Sequence, residues 1–103
     1  MCTYTTEKAD ISGSGKGRDG WFAVTTATVY YDHPVHAPAD HTLNIDFADP
    51  AAGPAARVAV ELTAGSALAL VDAIHAALAA VPAELTGLTP ETVEGLRRRQ
   101  VSA

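Results

Sequence analysis

Three of the four histidines in this 103-residue chain lie within one short segment, His33-Pro-Val-His36-Ala-Pro-Ala-Asp-His41. Imidazole is the commonest metal ligand among side chains, and its ordinary pKa also suits proton transfer near neutral pH. Because Pro34 and Pro38 restrict the backbone, the segment loses less entropy when its side chains converge on one ligand. We therefore expect His33, His36 and His41 to form a site, either for a metal ion or for acid–base chemistry.

The metal hypothesis has a specific form. Three neutral imidazoles that leave one coordination position open are typical of a catalytic zinc site. Asp32 or Asp40 could supply a further ligand or orient an imidazole ring. Zinc is the default ion, and nickel, copper and iron also accept imidazole. The spacing H-x2-H-x4-H matches no standard zinc-finger or zinc-protease motif, so the alternative is a loop whose histidines only pack and close turns.

Cys2 is the single cysteine of the chain, which excludes an internal disulfide framework. Removal of Met1 would expose an N-terminal cysteine, whose amine and thiolate can bind a metal or act as a nucleophile. The alternative is a small apolar residue at the start of a strand. If the protein is an enzyme, the candidate catalytic residues are Tyr31, Asp46 and Cys2.

The segment Gly13-Ser14-Gly15-Lys16-Gly17 has the composition of a phosphate-binding loop but not its spacing. A Walker loop has four residues between its glycines, then Lys-Ser/Thr, then a helix. Here a strand-like stretch follows instead. The glycines therefore predict a flexible turn over residues 12–20.

The rest of the chain predicts four strands followed by helices. Alternating or β-branched stretches predict strands at residues 3–11, 21–31, 41–47 and 57–62. Helical spacing of apolar residues predicts a main helix over 66–81, which Pro82 ends, and a shorter helix over 90–100 that Thr89 can cap. We expect an α+β fold in which an antiparallel sheet of about four strands carries the main helix on one face. Residues 1–82 would form this domain, and 83–103 a linker and the short terminal helix.

A single helix cannot cover both faces of such a sheet. The chain is therefore expected to form a homo-oligomer, most simply a dimer. The other face would be polar and could meet water, a second subunit or a small-molecule ligand; its residues include Thr42, Asn44, Asp46, Arg57 and Glu61.

Charge and composition exclude several classes of function. The formal net charge is −5, whereas a nucleic-acid surface needs a basic face. The basic run Arg97-Arg98-Arg99 is better explained as the end of a helix, where positive charge suits the helix dipole. The sequence contains no run of about 18 apolar residues, which is the pattern that would predict a membrane span. The first residues have no apolar core of a signal peptide, so we expect a cytoplasmic protein.

Several segments resemble a family of small, uncharacterised actinomycete proteins. They are Met1-Cys2-Thr3, the glycine segment with Gly20-Trp21-Phe22, Tyr31-Asp32-His33-Pro34, and the stretch from His36 to Phe47 that ends in His-Thr-Leu-Asn-Ile-Asp-Phe. The resemblance covers most of residues 1–81 and implies kinship. It implies no activity, because none is established for that family.

Two hypotheses for the function follow. The first is a small metalloprotein, with an enzymatic role left open, that uses His33, His36 and His41; His36→Ala should then release the metal and His75→Ala should not. The second is a metal-free oligomeric protein that binds a small molecule, with a secondary metabolite as one candidate ligand, or uses its histidines as acid and base.

Overall fold

The computed structural model describes residues 4–102, and the side chains of residues 4–98. The chain forms two compact units, one that ends at Ala64 and one that begins at Gly65. The first contains a four-stranded antiparallel sheet and the second contains helices, so the predicted α+β class is confirmed. The domain boundary at residue 82 and the place of the main helix on the sheet stay predictions.

The sheet is a simple meander in which each strand pairs with the next one along the chain. Its strands are β1 (Thr6–Gly17), β2 (Gly20–Asp32), β3 (Thr42–Ala48) and β4 (Arg57–Leu62). The predicted second, third and fourth strands agree with these bounds to within about a residue. All three were predicted from side-chain alternation or β-branched content, which follow directly from the pleat.

The register brings apolar and polar residues to opposite faces of the sheet. Tyr30 pairs with Asn44, and Asn44 pairs with Glu61, so these three side chains form one row across β2, β3 and β4. The next row, on the other face, joins Ile45 to Val29 and Val60. The row of polar residues is the base on which the candidate site is built.

The predicted turn over residues 12–20 is wrong for 12–17, where β1 continues to Gly17, and the turn itself is confined to residues 18–19. Gly13, Gly15 and Gly17 occupy alternate positions. A Cβ atom on Gly15 would lie 3.0 Å from Cγ2 of Val24, and one on Gly17 would lie 3.1 Å from Cε1 of Phe22. Glycine marks a close approach of neighbouring residues here, which is its other common role in a strand.

The sheet is curled at this end. A Cβ atom on Gly17 would also lie 3.4 Å from the carbonyl oxygen of Ala55, so the end of β1 lies beside the segment that leads into β4. The register of β1 against β2 shifts between Asp10 and Gly13, which is a bulge of the kind that bends a strand. The curl encloses an apolar cavity of about 320 Å³ whose lining includes Val24 and Phe47.

Three helices follow the sheet: α1 (Ala64–Ala79), α2 (Ala83–Thr86) and α3 (Pro90–Ser102). The two predicted helices are confirmed, whereas α2 was not predicted; it is a single turn that ends at Gly87, where φ is +75°. Thr89 caps α3 as expected, with its Oγ1 accepting the Thr92 N–H at 3.2 Å. None of the helices in the described part of the chain has the length and apolar composition needed to cross a membrane.

Candidate functional site

The histidine segment is the connection between β2 and β3, and we call residues 33–41 the histidine loop. Asp32 and Thr42 pair directly at the ends of the two strands. The loop therefore leaves and re-enters the sheet at the same place, which brings its first and last residues together. The ring centroids of His33 and His41 lie 4.4 Å apart.

Asp40 holds both of these imidazole rings. Nδ1 of His33 lies 2.8 Å from the backbone oxygen of Asp40, and Nδ1 of His41 lies 2.8 Å from its carboxylate Oδ2. Each Nδ1 therefore carries the hydrogen and donates it to Asp40. The lone pair of each neutral ring is then on Nε2, which is the tautomer that metal-binding histidines commonly adopt.

The ring of Tyr31 fixes the plane of the His41 ring. The two rings are stacked, with centroids 5.9 Å apart and an angle of 10° between their planes. The His41 side chain is 28% exposed, whereas Asp40 is 87% exposed. The cluster thus lies at the surface, with one side of the His41 ring covered by an aromatic neighbour.

One ligand atom each from His33, Asp40 and His41 can be chosen so that all three atoms lie within 4.8 Å of one another. Zinc–nitrogen bonds are about 2.0–2.1 Å long, so two ligands of one ion are at most about 4.2 Å apart. Asp40 lies on the Nδ1 side of the His41 ring, so in a site built on Nε2 it orients this ring and does not bind the ion. We call these three residues the His–Asp cluster.

The other predicted ligands lie elsewhere. His36 does not belong to the His–Asp cluster, and its ring lines a cavity on the polar face of the sheet. The Asp32 carboxylate accepts the backbone N–H of His33 at 2.7 Å, so it shapes the start of the loop. Cys2 lies outside the described residues.

Glu61 on β4 binds the middle of the histidine loop. Its carboxylate accepts the backbone N–H groups of Val35 at 2.5 Å, His36 at 3.0 Å and Ala37 at 2.9 Å. These hydrogen bonds lower the pKa of Glu61 from its ordinary value of 4.5, because they favour the charged carboxylate. The sequence placed Glu61 on the polar face but contained no signal that its partners would be backbone groups of the loop.

A cavity of about 570 Å³ lies between the histidine loop and the polar face of the sheet. Its lining includes His33 and His36 from the loop, and Asn44, Asp46 and Arg57 from the strands. Asp46, a predicted catalytic candidate, accepts a hydrogen bond of 2.6 Å from Arg57. The polar face that the sequence left open to water, a subunit or a ligand therefore forms one wall of this cavity.

Two polar side chains of this face are buried. Thr42 is completely buried, and its hydroxyl donates to Oδ1 of Asn44 at 2.6 Å. Asn44 itself is 6% exposed. Beside it, burial and the nearby Asp46 carboxylate raise the pKa of Tyr30 from its ordinary value of 10.0, so its hydroxyl stays protonated and can donate a hydrogen bond.

The chain belongs to a family of unknown function, DUF6295, whose model matches residues 1–87. The resemblance to an uncharacterised family is thereby confirmed. No curated protein and no solved structure matches the chain. The function must therefore be argued from the chemistry of the histidine loop and the cavity beneath it.

Proposed function

We propose that the protein binds a transition-metal ion through the His–Asp cluster. The observation that supports this most directly is the role of Asp40, which accepts a hydrogen bond from Nδ1 of both His33 and His41. Histidines that bind metals are usually oriented in this way, because a carboxylate or carbonyl at Nδ1 fixes the tautomer and raises the basicity of Nε2.

The donor set indicates which ions would bind. Two imidazoles that present Nε2 suit zinc, and also nickel, copper and iron. Two protein ligands, oriented by Asp40, would leave coordination positions open for water or a substrate, so a metal-dependent enzyme is one form of this proposal. Because His33 and Asp40 are exposed, the ion would exchange readily with solvent.

Calorimetric titration of the metal-free protein with zinc, nickel and copper tests the proposal. We expect one ion per chain, and we expect His33→Ala and His41→Ala to abolish binding. His36→Ala is a matched control in the same loop. The sequence alone predicts that this variant loses the metal, whereas the His–Asp cluster predicts that it keeps it.

The same variants distinguish a histidine that binds the ion from one that only contributes to packing. An ion that binds only the folded state raises the melting temperature, so zinc should stabilise the wild type and the His36→Ala variant. It should not stabilise His41→Ala or His33→Ala. Binding that survives both of these substitutions, or that is lost in His36→Ala, would show that the His–Asp cluster is not the metal site.

A cytoplasmic location is also part of the proposal. Its support is the presence of one cysteine, because small secreted domains usually rely on disulfides. Fractionation of the source cells, with an antibody against the protein, would test it.

A further inference from the structure

Three acidic or amide side chains of the cavity beneath the histidine loop already accept hydrogen bonds from the protein. Asp46 accepts from Arg57, and the Glu61 carboxylate accepts three backbone N–H groups of the loop. Oδ1 of Asn44 accepts the hydroxyl hydrogen of Thr42. A ligand that approached with hydrogen-bond donors would have to compete with partners that the protein itself supplies.

The side-chain donors of the same cavity are mostly without a hydrogen-bond partner within residues 4–98 of the protein. Among the described residues, the amide nitrogen of Asn44 and the hydroxyl of Tyr30 have no hydrogen-bond partner, and Arg57 donates only to Asp46. No polar side-chain atom that is fully enclosed in the described part of the chain lacks a partner. The Asn44 amide must therefore reach open space, and the cavity that Asn44 lines provides it.

Asn44 is only 6% exposed, so little of its amide meets solvent, and an acceptor of a ligand in the cavity could replace the water there. The Thr42 hydroxyl restrains Oδ1 of Asn44, and the pairing with both neighbouring strands fixes its backbone. Tyr30 lies next to it in the same row of the sheet. Both residues line the cavity, so their donors are available to acceptor groups of a ligand, such as a carbonyl oxygen.

The charges of the cavity argue against an anion. Asp46 and Glu61 are negative and Arg57 is positive, so the cavity carries one net negative charge when the rings of His33 and His36 are neutral. A carboxylate or phosphate would be repelled by the two acidic side chains. The remaining lining is apolar and comes from Val35, Ala37, Ala59 and Val60.

We propose that this cavity binds an uncharged small molecule in which a carbonyl oxygen stands next to an apolar body, as in an amide, lactone or ketone. The cavity volume of about 570 Å³ lies within the range of small-molecule sites, about 300–1,000 Å³. The proposal does not rest on the metal site, because Asp40 and His41 of the His–Asp cluster do not line the cavity and His33 is not needed for the donors named above.

Three probes of the same shape test the chemistry: benzamide is neutral, benzoate is an anion and benzamidine is a cation. Each is titrated into the full-length protein at about pH 8, where imidazole is normally neutral, with a chelator present. The readout is the nuclear magnetic resonance signal of the Asn44 side-chain amide. We expect benzamide to shift this signal and to bind more tightly than either charged probe.

The variants Tyr30→Phe and Tyr31→Phe form a matched pair, because these neighbouring residues point to opposite faces of β2. Tyr30→Phe should weaken benzamide binding about fivefold, which corresponds to the loss of one neutral hydrogen bond. Tyr31→Phe should leave it unchanged. His41→Ala should abolish metal binding while benzamide still shifts the Asn44 amide, because His41 does not line the cavity, so the two proposals can fail separately.

Three results would overturn the proposal. If benzoate bound more tightly than benzamide, the cavity would select an anion. If benzamidine bound more tightly, the cavity would recognise its ligand through hydrogen-bond acceptors and not through donors. The third is that millimolar benzamide leaves the Asn44 amide signal unchanged in the folded wild type, which would show that this cavity holds only water.

Discussion

Glu61 determines where the histidine loop lies, although it is neither a histidine nor part of the loop. Its carboxylate accepts three successive backbone N–H groups, from Val35 to Ala37. Successive N–H groups that point at one anion form a nest of partial positive charge. Glu61 fills this nest and so holds the middle of the loop, where His36 lies, while His33 and His41 meet at Asp40.

The lowered pKa of Glu61 predicts how the loop responds to acid. The pKa of Glu61 in the folded state is below its ordinary value of 4.5. The charged carboxylate therefore stabilises the folded state at pH values above the pKa of the unfolded state. This contribution is lost as the pH falls through the folded pKa. We expect the free energy of unfolding, measured in urea, to decrease over this range in the wild type and to change less in Glu61→Gln.

Hydrogen exchange gives the local readout of the same prediction. The amides of His36 and Ala37 should exchange faster in Glu61→Gln at neutral pH, because a neutral amide oxygen is a weaker acceptor than a carboxylate. Glu7→Gln is the control, since Glu7 accepts a hydroxyl from Thr5 and has no contact with the loop. Unchanged exchange in Glu61→Gln would mean that the loop holds its shape without this carboxylate.

The candidate site was only partly predictable from the sequence. The residue types and spacing identified the segment, and they named Asp40 as a residue that could orient an imidazole. They could not select His33 and His41 over His36, because that choice depends on hydrogen bonds between Glu61 and backbone groups 24 to 26 positions earlier. These hydrogen bonds between residues far apart in the sequence depend on the register of β3 against β4, which places Glu61 near the loop.

At the level of elements, β1 depends on glycine for its packing. A Cβ on Gly15 would lie 3.0 Å from Val24, which is 5% exposed and cannot move easily, whereas a Cβ on Gly13 would meet nothing within 4 Å. Gly15→Ala should therefore lower the free energy of unfolding by about 1–3 kcal/mol, the usual cost of overpacking.

The matched control for this prediction is Gly13→Ala. Neither Gly13 nor Gly15 has a positive φ, so alanine can adopt both backbone conformations. Gly13→Ala should be neutral or stabilising by up to about 1 kcal/mol, since alanine restricts the unfolded chain. Chemical denaturation of both variants tests the pair; equal stabilities would show that the close contact at Gly15 does not constrain β1.

The elements differ in how well local patterns predicted them. Alternation of side chains located β3 and β4, and helical spacing located α1 and α3, because burial of one face imposes each period directly. The end of β1 was missed because its glycines match both a turn and a strand under close contact. Their alternate spacing was a usable signal, since a turn has no reason to place glycine at every second position.

For the molecule as a whole, the histidine loop joins two proposed sites. Its ends hold the His–Asp cluster, its middle covers the cavity, and His33 belongs to both. A ligand in the cavity would therefore lie near the metal. The sequence predicted a metal site and a small-molecule site as alternatives, whereas in the structure one loop contributes residues to both candidate sites.

The predicted self-association also belongs to the whole molecule. No residue of α1 is buried, and Leu68, Val71 and Ile74 are 67%, 44% and 49% exposed. A water-facing helix rarely carries so many large apolar side chains. We therefore expect a dimer, with sedimentation at micromolar concentration giving twice the chain mass of 10.6 kDa. Val71→Lys should shift the protein toward the monomer.

Leu85→Lys is the control for this test, because Leu85 is 75% exposed but lies in α2. A lysine at either position adds the same charge, so only the position distinguishes the two variants. If α1 forms the interface, Leu85→Lys sediments like the wild type and Val71→Lys does not. A wild-type protein that stays monomeric at every concentration would contradict the prediction, since the apolar surface of α1 would then need no second chain to cover it.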